Sequence, residues 1–339
     1  RLVWMETDNT YPYRNLAMEE YMTLHVPQGT CILYLWQNRH TVVIGKNQNC
    51  WRECRVNFLE QESGYLVRRL SGGGAVFHDL GNLNFTFIVG AGDYDVSRQL
   101  DVILEAVRSL GIHAEKTGRN DITVDGRKFS GNAFYRTGDG CYHHGTILIR
   151  ADKENMSRYL NVSKEKLASK GVTSVKSRVA NLCEFKPDIT LEEVKSALVE
   201  AFSKVYGQPA VRMEEGELPQ PDIDARTEKF ASWQWKYGRK IPFEYEMEKR
   251  FPWGNIQIQF HVDEGMIQDV NVFSDAMDQE MIGMLAEQLK GCAYAEEDIC
   301  RAVKAVGTDA FQAGEYTGAD EPQSCRIKED IMTLVRESL

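Results

Sequence analysis

Apolar positions switch along the chain between a helical spacing and strand-like runs, and the switches mark its elements. Leu16, Met18, Tyr21 and Met22 partly fit one helical face, which predicts a helix from about Tyr13 to His25, stopped by Pro27. Ile32 to Trp36 and Thr41 to Ile44 are β-prone runs around a polar turn, and Gly45 breaks the second. Tyr65 to Arg69 reads as a strand running into a glycine cluster, and Phe85 to Val89 as another. Val96 to Leu110 has strong helical spacing and ends at Gly111. Asp121 to Val124 and Arg127 to Ser130 flank Asp125-Gly126, which predicts a hairpin. Gly145 to Ile149 is a further strand. Asn155 to Leu160 and Ser163 to Lys170 predict short helices, and Leu191 to Tyr206 a longer one. Gly207 to Asp224 is rich in Pro, Gly and acids and reads as an exposed connector.

From about Phe251 the pattern restarts. Ile256, Ile258 and Phe260 alternate with polar residues, and Gly265 turns the chain into Ile267 to Val272, a second hairpin. Gln279 to Leu289, Glu296 to Val306 and Arg326 to Leu334 are helical. Hairpins outnumber strand-to-helix crossovers. The expectation is therefore a mixed, largely antiparallel α/β (α+β) domain over residues 1–246 and a small α+β unit over 247–339.

Composition narrows the classes. The 339 residues are 42% hydrophobic and 27% charged, ordinary for a globular chain and too apolar for disorder. A net charge of −10 argues against non-specific nucleic-acid binding. No run approaches the ~20 apolar residues of a membrane span, and Arg1 to Glu6 lacks the apolar core of a signal peptide. Eight scattered Cys without a CxxC pair and seven His without HExxH spacing offer no metal cage of protein ligands and suggest a reduced, cytoplasmic setting.

Four segments carry candidate chemistry. In Arg68-Arg69-Leu70-Ser71-Gly72-Gly73-Gly74-Ala75-Val76-Phe77-His78-Asp79, followed by Gly81-Asn82, three glycines expose backbone N–H groups that can cradle phosphate or carboxylate. The two arginines can neutralise the same anion; a tight surface turn is the plainer alternative. The spacing is neither a Walker A loop nor GxGxxG. In Gly118 to Gly131, Asn120 and Asp121 offer oxygens suited to hydrated Mg²⁺ beside phosphates. Lys128 returns toward them across the predicted turn as a compact cation. A charged, solvated hairpin is the competing reading. In Tyr142-His143-His144-Gly145-Thr146, one imidazole is expected inward and one outward, with a structural role favoured over catalysis. Cys141 and Cys183 are weak candidate nucleophiles. Lys170 to Asn181 is basic and hydroxyl-rich, fit to fold over a phosphate-bearing ligand or to lie solvated.

Together these segments resemble lipoate-protein ligase A. The resemblance also takes in Asn15-Leu16-Ala17-Met18-Glu19-Glu20, Leu35 to Asn38 and Thr41 to Asn49, and its most specific stretch is Arg-Arg-x-Ser-Gly-Gly-Gly-Ala-Val-Phe-His-Asp-x-Gly-Asn. It implies the biotin/lipoate ligase fold, a mixed sheet with flanking helices, plus a small accessory domain. The implied reaction turns lipoate and ATP into lipoyl-AMP and pyrophosphate, then passes the lipoyl group to a lysine. Implied partners are lipoyl domains of 2-oxoacid dehydrogenase E2 subunits or the glycine-cleavage H protein; a monomer is expected, and octanoate is a further acyl substrate. By the same resemblance Lys128 contacts ATP and the acyl carbonyl, and Arg69 with the Gly74 to Phe77 backbone contacts the nucleotide. Asn120 and Asp121 take the magnesium side. Ser71, Gly72, Gly73, His78, Asn82, Gly131, His144, Gly145, Thr146, Val175 and Arg178 complete the ligand-binding set. The expected chemistry has the charges of Arg69 and Lys128 converging where a carboxylate meets the α-phosphate. Competing readings are an octanoyl or lipoyl transferase with a Cys nucleophile, a biotin ligase, and a non-catalytic lipoyl-carrier binding protein.

Overall fold

The computed structural model describes residues 1–117, 121–161, 179–238, 240–307 and 323–339. The chain divides into a unit of Arg1–Val43, Trp51–Arg68 and Val76–Lys236, and a second of Ile44–Cys50, Arg69–Ala75 and Tyr237–Leu339.

The first unit begins with β1 (Leu2–Glu6), α1 (Pro12–His25), β2 (Cys31–Trp36) and β3 (Thr41–Ile44). Proline at the first turn of α1 has no N–H to leave unsatisfied there. Two short helices, α2 (Cys50–Glu53) and α3 (Val56–Gln61), lead to β4 (Tyr65–Arg68), β5 (Val76–His78) and β6 (Asn82–Gly90). Then come α4 (Val96–Ser109), β7 (Glu115–Thr117), β8 (Asp121–Val124), β9 (Arg127–Thr137), β10 (Gly140–Leu148) and α5 (Lys153–Tyr159). The unit continues with α6 (Leu191–Tyr206), β11 (Ala210–Arg212), α7 (Gln220–Ala231) and α8 (Trp233–Tyr237).

Eight strands form one mixed sheet in the order β11-β1-β2-β6-β10-β9-β8-β7. β1 is parallel to both β2 and β11, and the described pairings from β2 onward are antiparallel. A second sheet has the order β4-β3-β5. α1 packs on β6, β10 and α7, while α4 packs on α6. The β8–β9 turn is the one the sequence predicts: Asp125 and Gly126 both take positive φ, at 50° and 70°. The α4 helix likewise gives way to Gly111 at φ 85°.

Three expectations need correction. Gly207 to Asp224 is not only a connector, because it contains β11 and the start of α7. β9 and β10 are longer than the apolar pattern suggests, since Asn132, His143 and His144 are polar residues buried within strands. The third is an omission: no expected element covers β1, although Leu2, Val3 and Met5 are buried. The predicted Ser163 to Lys170 helix lies outside the described residues.

In the second unit, β12 (Tyr245–Phe251), β13 (Gly254–Asp263) and β14 (Met266–Ser274) form an antiparallel sheet. They are followed by α9 (Gln279–Leu289), α10 (Glu296–Ala305) and α11 (Gln323–Ser338). Ile256, Ile258 and Phe260 meet Leu285, Val303 and Ile331 in one apolar core, as their alternation and helical spacing foretell. Among the described residues no helix is long and apolar enough to cross a membrane.

Candidate active site

Lys128 stands just past the Asp125-Gly126 turn. Its carbonyl accepts a 2.9 Å hydrogen bond from the Ala180 N–H, and Val179 bridges beside it. The β8–β9 register slips here: Thr123 faces Lys128, but Ile122 faces Ser130, so Phe129 is the extra residue of a bulge. Asp121 then faces Gly131. Gly131 donates its N–H to Thr146 Oγ1 at 3.3 Å. A Cβ built at Gly145 would lie 2.5 Å from the Gly131 carbonyl, so that close approach requires glycine. A Cβ at Gly131 would fall 2.7 Å from Lys128 Nζ, which places the ammonium over the bare backbone. Lys128, Gly131, Gly145 and Thr146 are thus brought together.

The paired histidines do point to opposite faces of β10, but both are buried, His143 against α4 and His144 against α1. His144 Nδ1 lies 2.8 Å from Glu19 Oε1 on α1. Thr86 donates to the same oxygen at 2.7 Å, and the Trp36 indole N–H donates to Thr86 at 3.0 Å. His143 faces α4, with its ring nitrogens 3.2 Å from Gln99 Oε1 and 2.9 Å from Asn132 Oδ1. Phe85, Phe87 and Phe134 enclose that ring. Burial, with a smaller push from His144, lowers the His143 pKa to about 3, so it stays neutral at ordinary pH.

His78 is buried, with Nδ1 3.2 Å from Asn38 Nδ2. Asn82 donates its side-chain amide to Asn84 Oδ1 at 2.9 Å. The outer atoms of that pair, Asn82 Oδ1 and Asn84 Nδ2, are buried without a hydrogen-bond partner among the described residues. A buried acceptor and donor left open together suit a polar ligand, since leaving them unmet costs about 1–3 kcal/mol each. Glu19, Thr86 and Asn84 carry no motif that marks them in the sequence; period-two alternation on β6 is the signal available for the last two.

Arg69 and the glycine loop belong to the second unit. The guanidinium turns onto its own loop: Nε donates to Ser71 Oγ at 3.0 Å, and Nη2 to the Gly72 and Gly74 carbonyls at 2.7 and 2.9 Å. Gly73 sits at φ 89°, and its N–H is given to the Ala276 carbonyl at 3.0 Å. That donor is therefore not spare for an anion. Ala75 ends the loop, while Val76 and Phe77 pair with Val43 and Val42 in the first unit. Arg68, also in the first unit, is spent on the Trp235 and Lys236 carbonyls at 2.9 and 2.8 Å. The expected convergence of Arg69 with Lys128 involves residues of different units.

Asn120, Val175 and Arg178 lie outside the described residues, and of Asp121 only the backbone is described. Among the described residues no group of three His, Cys, Asp or Glu could hold a metal ion. Asn181 is a structural residue: its amide exchanges hydrogen bonds with Ala151 N and O at 3.0 and 2.9 Å. Arg127 is paired with Glu184 at 2.6 Å. Cys141 is buried on β10, and burial raises its thiol pKa, against nucleophilic use.

The family model described as the lipoyl protein ligase A/B catalytic domain matches residues 11–203. The chain belongs to this family. A second model, the bacterial lipoate protein ligase C-terminus, matches residues 240–318. Among solved structures, P. falciparum LipL1 in complex with lipoate is 29% identical at a TM-score of 0.81, over 98% of this chain and 99% of that one. A bipartite lipoate protein ligase from Thermoplasma acidophilum, solved in a study with its E2 lipoyl domain, is 26% identical at 0.63, over 71% and 98%. A lipoate-protein ligase A bound with ATP is 26% identical at 0.62, over 70% and 98%. The fold is thus that of lipoate ligases, and the chain is an enzyme of lipoyl attachment.

Proposed function

We propose that the chain is an ATP-dependent lipoate-protein ligase. A lipoate carboxylate oxygen attacks the α-phosphorus of ATP, pyrophosphate leaves, and lipoyl-AMP forms. A lysine amine of a lipoyl domain then attacks the acyl carbonyl, AMP leaves, and the amine gives up a proton. Both reactants of the first step are anions, so a fixed cation beside them lowers the barrier. The Lys128 ammonium over Gly131 is the observation that carries this reading. The open atoms of Asn82 and Asn84 are assigned to the polar part of the ligand. Mg²⁺, when bound, supplies charge neutralisation on the phosphates. An ion held through substrate phosphates needs only one or two protein oxygens, a role assigned to Asp121 and Asn120. Arg69 holds the shape of its glycine loop.

Lipoyl domains of E2 subunits are the proposed acceptors, with H protein as a further one and a monomer as the working species. Octanoate lacks the dithiolane ring but keeps the methylenes, each worth about 0.8 kcal/mol on burial. It should therefore be a weaker substrate rather than an excluded one.

The test is the mass of an apo lipoyl domain incubated with enzyme and lipoate, with and without ATP. One lipoyl group should be added only with ATP. Lys128→Ala should lower the rate by about 100-fold or more. ATP-independent transfer, with a thioester on Cys183 or Cys141, would establish the transferase reading instead.

A further inference from the structure

Lys128 and Gly131 are three residues apart on one strand, and in a regular strand their Cα–Cβ directions would point to opposite faces. The bulge at Phe129 removes that half-period. Phe129 is fully buried and anchors the extra residue in the core, so Lys128 and Gly131 come to the same face. Among the described residues the nearest atoms to a Cβ built at Gly131 are Lys128 Cε and Nζ, both at 2.7 Å, and the next is Thr146 Oγ1 at 3.9 Å. Gly131 is not among the positive-φ residues, so its backbone is open to any L residue. Among the described residues, the atoms that come closer than 3 Å are the far end of the Lys128 side chain, its Cε and Nζ. Gly145 is different, because its missing Cβ makes room for backbone and a phenyl ring, at 2.5 Å from Gly131 O and 2.6 Å from Phe85.

We propose that Gly131 is a positioning residue for lipoate activation: together with the Phe129 bulge it forms the seat that holds the Lys128 ammonium where the carboxylate and α-phosphate react. This rests on the ligase chemistry assigned above to Lys128. A methyl group at 131 would displace the far end of one flexible side chain and leave the strand as it is. The barrier of the first step depends on that charge being in place, and misplacement by about an ångström can cost up to about 100-fold.

The experiment compares wild type, Gly131→Ala, Lys128→Ala and the double variant. Lipoate- and ATP-dependent pyrophosphate release is measured, alongside thermal unfolding and the rate at which a soluble N-hydroxysuccinimide ester acylates Lys128, read by peptide mass spectrometry without substrates. Gly131→Ala should unfold near the wild-type temperature, change Lys128 acylation at least about threefold, and lower kcat about 10- to 100-fold with KM for lipoate little altered. In the Lys128→Ala background it should lower kcat no further, because there is no ammonium left to displace. Unchanged acylation of Lys128 in Gly131→Ala, or an equal further loss in the double variant, overturns the seat while leaving the ligase reading intact. Near-wild-type activity of Lys128→Ala overturns the reading itself and the proposal with it.

Discussion

His143 shows what a single residue contributes when its environment refuses charge. Three phenyl rings and two side-chain amides surround it, and its pKa falls from the usual 6.5 to about 3. Above 6.5 the folded and unfolded chains both carry a neutral ring, and pH has no leverage through it. Below 6.5 the unfolded chain takes up a proton that the folded chain declines until about 3, so stability falls as pH falls across that window. Denaturant unfolding of wild type and His143→Gln between about pH 6 and 4 should show the wild-type slope steeper by up to one proton, about 1.4 kcal/mol per pH unit. Parallel slopes would mean that the ring is protonated in the folded state. The neighbouring His144 is handled differently, since a buried carboxylate, Glu19, receives it. Adjacent side chains of one strand thus sit in opposite electrostatic settings because they face different helices.

At the level of elements, the β8–β9 hairpin was legible because Asp-Gly needs no tertiary context: both residues accept φ above zero. Gly126→Ala should therefore cost about 1 kcal/mol through the left-handed backbone alone, seen as a lower urea midpoint with unchanged m. The bulge one residue past Lys128 was not legible, because it arises from the need to bury Phe129 and leaves no mark in the pattern. β6 and the helices α1, α4, α6 and α9 followed from periodicity, which local sequence carries. β11 did not, since three residues are too few to show a period and its strand character comes from pairing with β1. In the candidate site, glycine and charge are what single out the segments in the sequence. What each side chain does there depended on partners far along the chain: Arg68 on α8, Glu19 on β10, Arg127 on Glu184.

For the molecule as a whole the net charge of −10 sets the long-range field. Arg127 adds little to that field, because Glu184 lies 2.6 Å away and offsets its charge. Burial works to raise the Glu184 pKa, but the Asn181 N–H, Lys153 and Arg127 outweigh it and hold the value at about 2, so the pair persists through ordinary pH. An acidic lipoyl domain and this enzyme should therefore repel at a distance. The second-order rate of lipoyl transfer should rise as salt goes from about 10 to about 150 mM, where the screening length is about 8 Å. Pyrophosphate release without acceptor should change less. A transfer rate that drops with salt would instead reveal a basic docking face.

The rim of the eight-stranded sheet at β11 has a practical consequence. The strand is three residues long, with Pro209 before it and an acidic run after it. Arg212 lies over the Trp4 ring and pairs with Glu214 at 2.9 Å and Glu6 at 3.5 Å. A foreign strand arriving there finds a ledge too short to zip onto and capped by charge. This border should therefore resist edge-to-edge pairing, and lengthening it with β-branched residues should take that protection away.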